Sequence, residues 1–323
     1  MTGFAREDRA IRVLVTGAAG FIGSTLVAAL TARGDSVVGI DSLTDYYDPQ
    51  LKRLNLVELQ DSRFEFVEGD VNELDLPALL DDGFDAIVHL AGQPGVRKSW
   101  GDDFTAYSRG NVDATQRLLE ATLHSSSASR FVYASSSSVY GQAETYPTTE
   151  GMLPRPHSPY GVTKLAGEHL VGLYGENFGL TTTAFRFFTV YGPRQRPDMA
   201  FTRFLTAARD ATPISVYGTG EQVRDFTFVA DIVSALVAAV STREALPPVM
   251  NLSGGSSVSV NEVLDTIAEI AGRPLDVQRS ESMRGDVFRT GGDSSLARHA
   301  LGWAPVTPLP EGLRQQWEWI TSR

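Results

Sequence analysis

Three glycines, Gly17, Gly20 and Gly23, stand between a short apolar run and a helical pattern, and they constrain this chain more than any other feature. Val13-Leu14-Val15 reads as a buried parallel strand that runs straight into Gly17-x-x-Gly20-x-x-Gly23. Behind the glycines, Phe21, Ile22, Leu26, Val27 and Leu30 share one side of a helix that ends near Gly34. Strand, tight glycine turn and helix are the parts of a dinucleotide site. The turn must let backbone approach a pyrophosphate with no Cβ in the way, and the N–H groups that open the helix face the phosphate charge. Gly17, Gly20, Phe21, Ile22 and Gly23 are therefore candidate cofactor contacts. The context extends the pattern. A second apolar strand, Ser36 to Ile40, ends at Asp41, about 20 residues past the glycines, where an acid receives a ribose 2′-OH. An acid there repels a 2′-phosphate, which favours NAD over NADP. The competing reading is a glycine-rich turn of some other α/β protein, with Asp41 a helix cap.

Strands and helices continue to alternate. Phe64 to Gly69 reads as a strand ending at Asp70 and Val71; Asp70 either touches the adenine side of a dinucleotide or caps the turn that follows. Asp85 to Gly92 reads as a central strand whose end, with Leu90 and Ala91, is small enough to leave room for a cofactor. A long amphipathic helix is expected over 104–123 and contains Asn111, followed by a serine-rich loop over 125–129. Arg130 to Ser135, with Ala134 near its end, and Thr182 to Phe188, with Phe187 near its end, read as further strands. Helices are expected over 51–59, 201–208, 230–240, 260–271 and 311–320, a loop over 190–197, and a return to the sheet at 250–252. This alternation predicts an α/β fold, a Rossmann-type doubly wound parallel sheet with a smaller carboxyl-terminal substrate lobe. The expected division is a dinucleotide domain over 10–185, with returns near 226–253, and a lobe made of 186–225 and 254–323.

Composition removes several classes of function. A net charge of −11 argues against a nucleic-acid or acidic-membrane surface. With no cysteine there is no disulfide, thiolate metal site or cysteine nucleophile. The five histidines show no metal spacing and read as surface or satisfied core residues, so no metal is expected. The polar, charged start over 1–9 does not read as a signal peptide. No apolar run approaches the roughly 20 residues of a membrane span. The cytoplasm is the expected location.

The chemistry is concentrated in Ser158-Pro159-Tyr160-Gly161-Val162-Thr163-Lys164. Ser158 suits a helix N-cap and Pro159 the first helical position. Tyr160 and Lys164 then stand at i and i+4 on one helix face. A nearby ammonium favours tyrosinate and lowers the phenol from its usual value of about 10, which makes a base for a hydroxyl near neutral pH. The alternative is a packed tyrosine beside a solvated lysine.

These residues bring the chain to a family. It resembles the extended short-chain dehydrogenase/reductases, the nucleotide-sugar epimerases and dehydratases, from Arg12 to about Trp319. The resemblance rests on the glycine turn, Asp41, Asp70-Val71, His89-Leu90-Ala91, Asn111, Ala134 to Gly141, Tyr160-x-x-x-Lys164, Arg186-Phe187-Phe188 and Arg224-Asp225-Phe226. It implies that Ser136 completes a Ser–Tyr–Lys set and hydrogen-bonds the substrate oxygen, and that Lys164 also holds the nicotinamide ribose. All branches of the family oxidise C4 of a sugar with NAD. Where 4,6-dehydratases carry an Asp-Glu pair and the glucuronate decarboxylases a Glu, this chain has Ser137 and Ser138. Without a carboxylate there elimination lacks its acid and base, and return of hydride to C4, which is epimerisation, remains.

Asp45-Tyr46-Tyr47-Asp48, Gln93 to Arg97 and above all Phe187 to Ala200 are similar to the UDP-glucuronate 4-epimerase branch. A guanidinium can grip a uronate carboxylate with two parallel hydrogen bonds. Holding that carboxylate so that its bond to the ring is misaligned with the C4 ketone suppresses loss of CO₂. Arg196 is the first candidate for this grip and Arg194 the second; the alternative is that both contact the diphosphate or a neighbouring loop. The resemblance further implies substrate contacts at Ser138, Arg97, Thr189, Tyr217, Arg224, Arg284 and Asp286, with Arg224 at the diphosphate and Arg284 and Asp286 near the nucleotide ribose and phosphate. Any one of these arginines could instead be a surface ion pair. Gly92 and Pro94 depart from the alanines common in relatives. The implied reaction is UDP-glucuronate to UDP-galacturonate, with NAD regenerated. The alternatives are a neutral-sugar epimerase of the UDP-glucose type, a UDP-glucuronate decarboxylase, and a silent NAD-binding scaffold. The family also implies a homodimer formed through helices over 104–123 and 159–178.

Overall fold

A computed structural model of the chain describes residues 9–125, 130–281 and 287–323. Six strands come early: β1 (Arg12–Thr16), β2 (Ser36–Asp41), β3 (Phe64–Glu68), β4 (Ala86–His89), β5 (Arg130–Ser136) and β6 (Thr182–Phe187). Four short strands follow, β7 (Val190–Tyr191), β8 (Ile214–Tyr217), β9 (Val223–Asp225) and β10 (Thr227–Phe228). Then come β11 (Val249–Leu252), β12 (Ser257–Ser259) and β13 (Val277–Ser280). The helices are α1 (Phe21–Arg33), α2 (Pro49–Val57), α3 (Leu76–Asp81), α4 (Phe104–Ser108), α5 (Ala114–Leu123), α6 (Pro159–Phe178), α7 (Ala200–Asp210), α8 (Val229–Ser241), α9 (Val260–Ala271), α10 (Ser295–Leu301) and α11 (Leu309–Thr321).

Seven strands form one sheet in the order β3-β2-β1-β4-β5-β6-β11. Every pairing in it is parallel. The apolar runs of β1, β4 and β5 are continuous because both faces of a parallel sheet are covered. Along β1 the side chains alternate between two cores. Val13 and Val15 join the larger core with α1 and α8, whereas Leu14 joins Leu118 and Leu119 of α5 on the other face. Strand β1 pairs with β2 on one side and with β4 on the other, so the strand order reverses there. That reversal leaves a crevice at the carboxyl ends of β1 and β4, where ligands of such sheets bind. The expected α/β architecture is the one observed.

Two local differences from the expectation have physical reasons. The 104–123 helix is not uniform: α4 and α5 are joined by a π-helical turn, Arg109–Asp113, which holds Asn111. The widened turn re-aims the Asn111 side chain, whose amide donates to Gln93 O and Thr163 Oγ1 while its oxygen accepts from Gln93 N at 2.8 Å. A Cβ at Gly92 would lie 2.6 Å from that Asn111 oxygen, which accounts for glycine at this position. The expected loop over 190–197 begins as strand β7, which pairs with β10. The serine-rich stretch 126–129 lies outside the described residues.

Buried Asp225, at the end of β9, accepts from Ser253 Oγ and from the amides of Gly255 (3.0 Å) and Gly292 (3.4 Å). Among the described residues no helix is long and apolar enough to cross a membrane.

Candidate active site

The glycine turn is held open by geometry that only glycine satisfies. Gly17 has φ +73°, and a Cβ on it would sit 2.9 Å from the backbone nitrogen of Ala91. A Cβ on Gly23 would lie 2.0 Å from the carbonyl oxygen of Gly17. Helix α1 starts at Phe21 behind Gly20, with no side chain capping its first turn. Its leading amides are therefore left for a ligand. A dinucleotide pyrophosphate fits this cradle: a Cβ would fill the space, and the N–H groups there need an acceptor.

A cleft of about 420 Å³ opens from the turn. Every candidate cofactor contact read from the sequence lines it: Gly17, Gly20, Phe21, Ile22, Gly23, Asp41, Asp70, Val71, Leu90, Ala91, Asn111, Ala134, Tyr160, Lys164 and Phe187. Asp41 does not cap a helix. Its carboxylate accepts from the amides of Leu43 (2.8 Å) and Ala19 (3.2 Å) and pairs with Lys52 at 3.4 Å, while Asp48 caps α2. The buried Lys52 ammonium, which the sequence did not suggest as part of the site, offsets the Asp41 charge. What Asp41 offers a ribose is thus an acceptor oxygen more than net repulsion of a phosphate. Asp70 caps its turn through the amide of Asn72 at 2.8 Å and pairs with Arg109 at 2.9 Å, and it also lines the cleft.

Ser158 caps α6 by accepting from the Gly161 amide at 3.1 Å, and Pro159 occupies the first turn. Tyr160 and Lys164 follow on one face and both line the cleft. Lys164 is buried, with Nζ 4.7 Å from the centre of the Tyr133 ring. Burial pushes its ammonium down to about 7, while Glu168, one turn further on, pulls it back up. Tyr160 departs from the expectation of a lowered phenol. Burial raises it above its ordinary value, and the opposing influences are its hydrogen bond with Ser136 and the charge of Arg196. Lys164 is not among the groups that act on the phenol.

Ser136 ends β5, and its Oγ accepts from the Ser138 amide at 3.1 Å. This opens a single 3-10 turn, Ser137–Val139, so the serine run is a shaped strand exit. Ser135 is structural: it donates to Glu168 at 2.6 Å, and Glu168 in turn forms a buried pair with Arg186 at 2.5 Å. His89 is fully buried between Thr16 (2.7 Å) and Thr115 (3.1 Å), and burial pushes it down to about 3, so it stays neutral.

The two arginines proposed to grip a uronate part company. Arg196 lines the cleft, 5.7 Å from the Tyr46 ring centre, and pairs with Asp198. Arg194 does not line it; its guanidinium pairs with Glu58 beyond the end of α2 at 2.8 Å. Ser136, Ser137, Ser138, Arg97, Thr189, Tyr217 and Arg224 are not part of the cleft lining. Arg97 stacks on the ring of Tyr217 at 4.3 Å, with Arg203 also over that ring at 5.8 Å. Arg224 donates to the carbonyls of Val287 (2.5 Å) and Phe288 (3.0 Å). Thr189 uses its carbonyl to receive the Thr227 amide at 3.1 Å. Arg284 and Asp286 lie outside the described residues. Tyr107 has no local motif to mark it as a site residue. Its ring meets that of Tyr160 edge-on at 6.2 Å, and its hydroxyl donates to Pro94 O at 2.9 Å and Gly95 O at 2.8 Å.

Comparison with known proteins agrees with this geometry. The sequence pattern of the NAD dependent epimerase/dehydratase family matches residues 13–253. The chain is 41% identical to an uncharacterized UDP-glucose epimerase YtcB of Bacillus subtilis (strain 168), over 97% of this chain and 98% of that protein. It is 38% identical to UDP-glucuronate 4-epimerase 4 of Arabidopsis thaliana, over 98% of this chain and 76% of that protein. The crystal structure of a UDP-glucuronic acid 4-epimerase from Bacillus cereus, in complex with UDP-glucuronic acid and NAD, superposes with a TM-score of 0.93 at 41% identity, covering 97% of this chain and 99% of that one. The chain belongs to the NAD dependent epimerase/dehydratase family.

Proposed function

We propose that this protein is an NAD-dependent 4-epimerase that converts UDP-glucuronate to UDP-galacturonate. The observation that carries the reading is the meeting of Tyr160 and the Arg196 guanidinium in one cleft, with serines, not carboxylates, at Ser137 and Ser138. When bound, NAD would supply a reversible hydride acceptor for C4, with its pyrophosphate held by Gly17, Gly20 and Gly23 and its ribose by Asp41. Tyr160 takes the O4 proton and later returns one; Ser136, hydrogen-bonded to Tyr160, holds the same oxygen. Arg196 lowers the phenol by its charge, so it helps form the base as well as gripping the uronate. Lys164, buried in the same cleft, would hold the nicotinamide ribose. Ser138, Thr189, Arg97, Tyr217 and Arg224 are assigned to the nucleotide sugar, with a dinucleotide domain over 10–185 and returns near 226–253, and a substrate lobe over 186–225 and 254–323.

A neutral-sugar reading has one observation in its favour, the printed name of the Bacillus subtilis relative. Proton NMR of the purified protein with UDP-glucuronate, and separately with UDP-glucose, decides between them. UDP-galacturonate formed without net NADH supports the assignment. Conversion of UDP-glucose alone refutes the uronate grip, and CO₂ with a pentose product indicates a decarboxylase. The finer assignments are a cytoplasmic homodimer. Its contact face is formed by the helical segments 104–123 and 159–178, on which Phe104, Val162, Leu173 and Phe178 are 41–59% exposed.

A further inference from the structure

Arg196 sits in a loop that is rigid on both sides. Gln195, next to it, is buried: its side-chain oxygen accepts from the Thr202 amide at 3.1 Å and from Gln316 at 3.0 Å. On the other side Arg196-Pro197-Asp198-Met199 closes a turn, the Met199 amide donating to the Arg196 carbonyl at 3.2 Å. Pro197 takes the second position of that turn, where its fixed φ is preorganised. The freedom left at Arg196 is the rotation of its own side chain, and Asp198 removes it. Nε donates to Asp198 Oδ1 and Nη2 to Oδ2, each at 2.9 Å. This side-on pair engages one edge of the guanidinium. Among the described residues Nη1 makes no hydrogen bond, and the arginine is 18% exposed against 39% for the aspartate. Asp198 thus holds the arginine from the outer side of the loop, while the arginine, not the aspartate, lines the cleft.

We propose that Asp198 is the positioning residue of the uronate grip: it locks Arg196 side-on, presents the Nη1 end to the sugar carboxylate, and offsets the arginine charge beside Tyr160. The inference rests on the function proposed above. A bidentate partner costs the guanidinium its rotamer freedom before substrate arrives, so the carboxylate of the sugar meets a donor already in place. That orientation matters after C4 is oxidised, because the 4-keto uronate is a β-keto acid. If its carboxylate turns into line with the ketone, the C5–C6 bond breaks and CO₂ leaves. The electron pair forms the enolate of the C4 ketone, solvent adds a proton at C5, and the two electrons taken from C4 stay with the cofactor as NADH. The charged or titratable groups acting on Arg196 are Asp198 from its own loop, Tyr46 and Tyr47 from the segment after β2, and Tyr160 from α6. Lys98 Nζ lies 4.9 Å from the centre of the Tyr46 ring.

The test is Asp198→Asn beside Asp198→Glu in the full-length, NAD-loaded protein, with UDP-glucuronate as substrate. Loosening the arginine should lower kcat about tenfold and raise the ratio of CO₂ to UDP-galacturonate by about tenfold or more. Because Arg196 then acts on Tyr160 without its counter-charge, the acid limb of the kcat/KM profile should move to lower pH. A merely structural aspartate would not move it in that direction. Asp198→Glu keeps the carboxylate and should restore most of the product ratio. An unchanged product ratio and acid limb in Asp198→Asn, with NAD retained and the same melting temperature, overturns the proposal. The two readings fail differently. If the wild-type protein does not act on UDP-glucuronate, both fall. If it does, and Arg196→Ala abolishes its preference over UDP-glucose while Asp198→Asn behaves as wild type, only the role of Asp198 falls.

Discussion

Glu168 joins the stability of this fold to the chemistry of its lysine, and replacing it with glutamine measures both. Its carboxylate receives Arg186 Nη2 at 2.5 Å and Nε at 3.0 Å, and Ser135 Oγ at 2.6 Å. The two charged side chains are only 5% and 4% exposed. Glutamine keeps the shape but leaves the Arg186 guanidinium buried with no counter-charge. Breaking a buried pair by removing one partner costs about 3–5 kcal/mol, a large share of the roughly 5–15 kcal/mol that holds a typical domain. At roughly 2 °C per kcal/mol for a chain of this size, the melting temperature should fall by about 6–10 °C. Thermal and urea unfolding followed by circular dichroism would read this. The double variant Glu168→Leu, Arg186→Met removes the stranded charge and should recover most of the loss, because apolar replacement of a whole buried pair is near neutral. The same substitution withdraws the charge that pulls Lys164 upward. The lysine should then titrate below its present value of about 7. A change within about 0.5 kcal/mol of wild type, or a double variant as unstable as the single, would refute the charge argument.

Gly23→Ala should abolish NAD binding, read by isothermal titration, since its Cβ would lie 2.0 Å from the Gly17 carbonyl. Retained binding would show that the turn can re-form around a methyl group. Tyr160→Phe should lower turnover by about a hundredfold or more while NAD still binds, because the base is lost and the cradle is untouched. Turnover within tenfold of wild type would move the base elsewhere. Lys164 titrates near 7 in the folded protein against 10.5 when unfolded, so between those values the unfolded chain binds more protons. The stability of the ligand-free protein should therefore rise with pH across that window, relative to Lys164→Met, and parallel curves for the two would contradict the burial argument.

How much of this was legible depended on the distance over which each feature is encoded. The glycine turn, the Ser158 cap and the Tyr160–Lys164 pair are written in contiguous residues, so steric need and helix periodicity expose them directly. All fifteen candidate cofactor contacts fell on one cleft for the same reason: in a doubly wound sheet, strand ends converge wherever the strand order reverses. The features that set charge were not legible. Lys52 beside Asp41, and Arg186 beside Glu168, are pairs made by folding, and nothing local marks them. The pH behaviour of Tyr160 failed on this account, since helix spacing says who is near but burial decides who is charged.

The two candidate arginines show the limit most clearly. Arg194 and Arg196 differ by two residues, and in an irregular loop that spacing does not say whether their side chains share a face. The answer lies in one backbone angle. Arg194 has φ +66°, a left-handed conformation that a non-glycine residue adopts only when its surroundings hold it there. Its pair with Glu58, together with the buried Gln195 that follows, supplies that hold. The chain turns at Arg194, sending this guanidinium toward Glu58 past the end of α2, and two residues later Arg196 enters the cleft. That pair takes Arg194 out of the candidates, while Arg196, two residues on, lines the cleft with Tyr160.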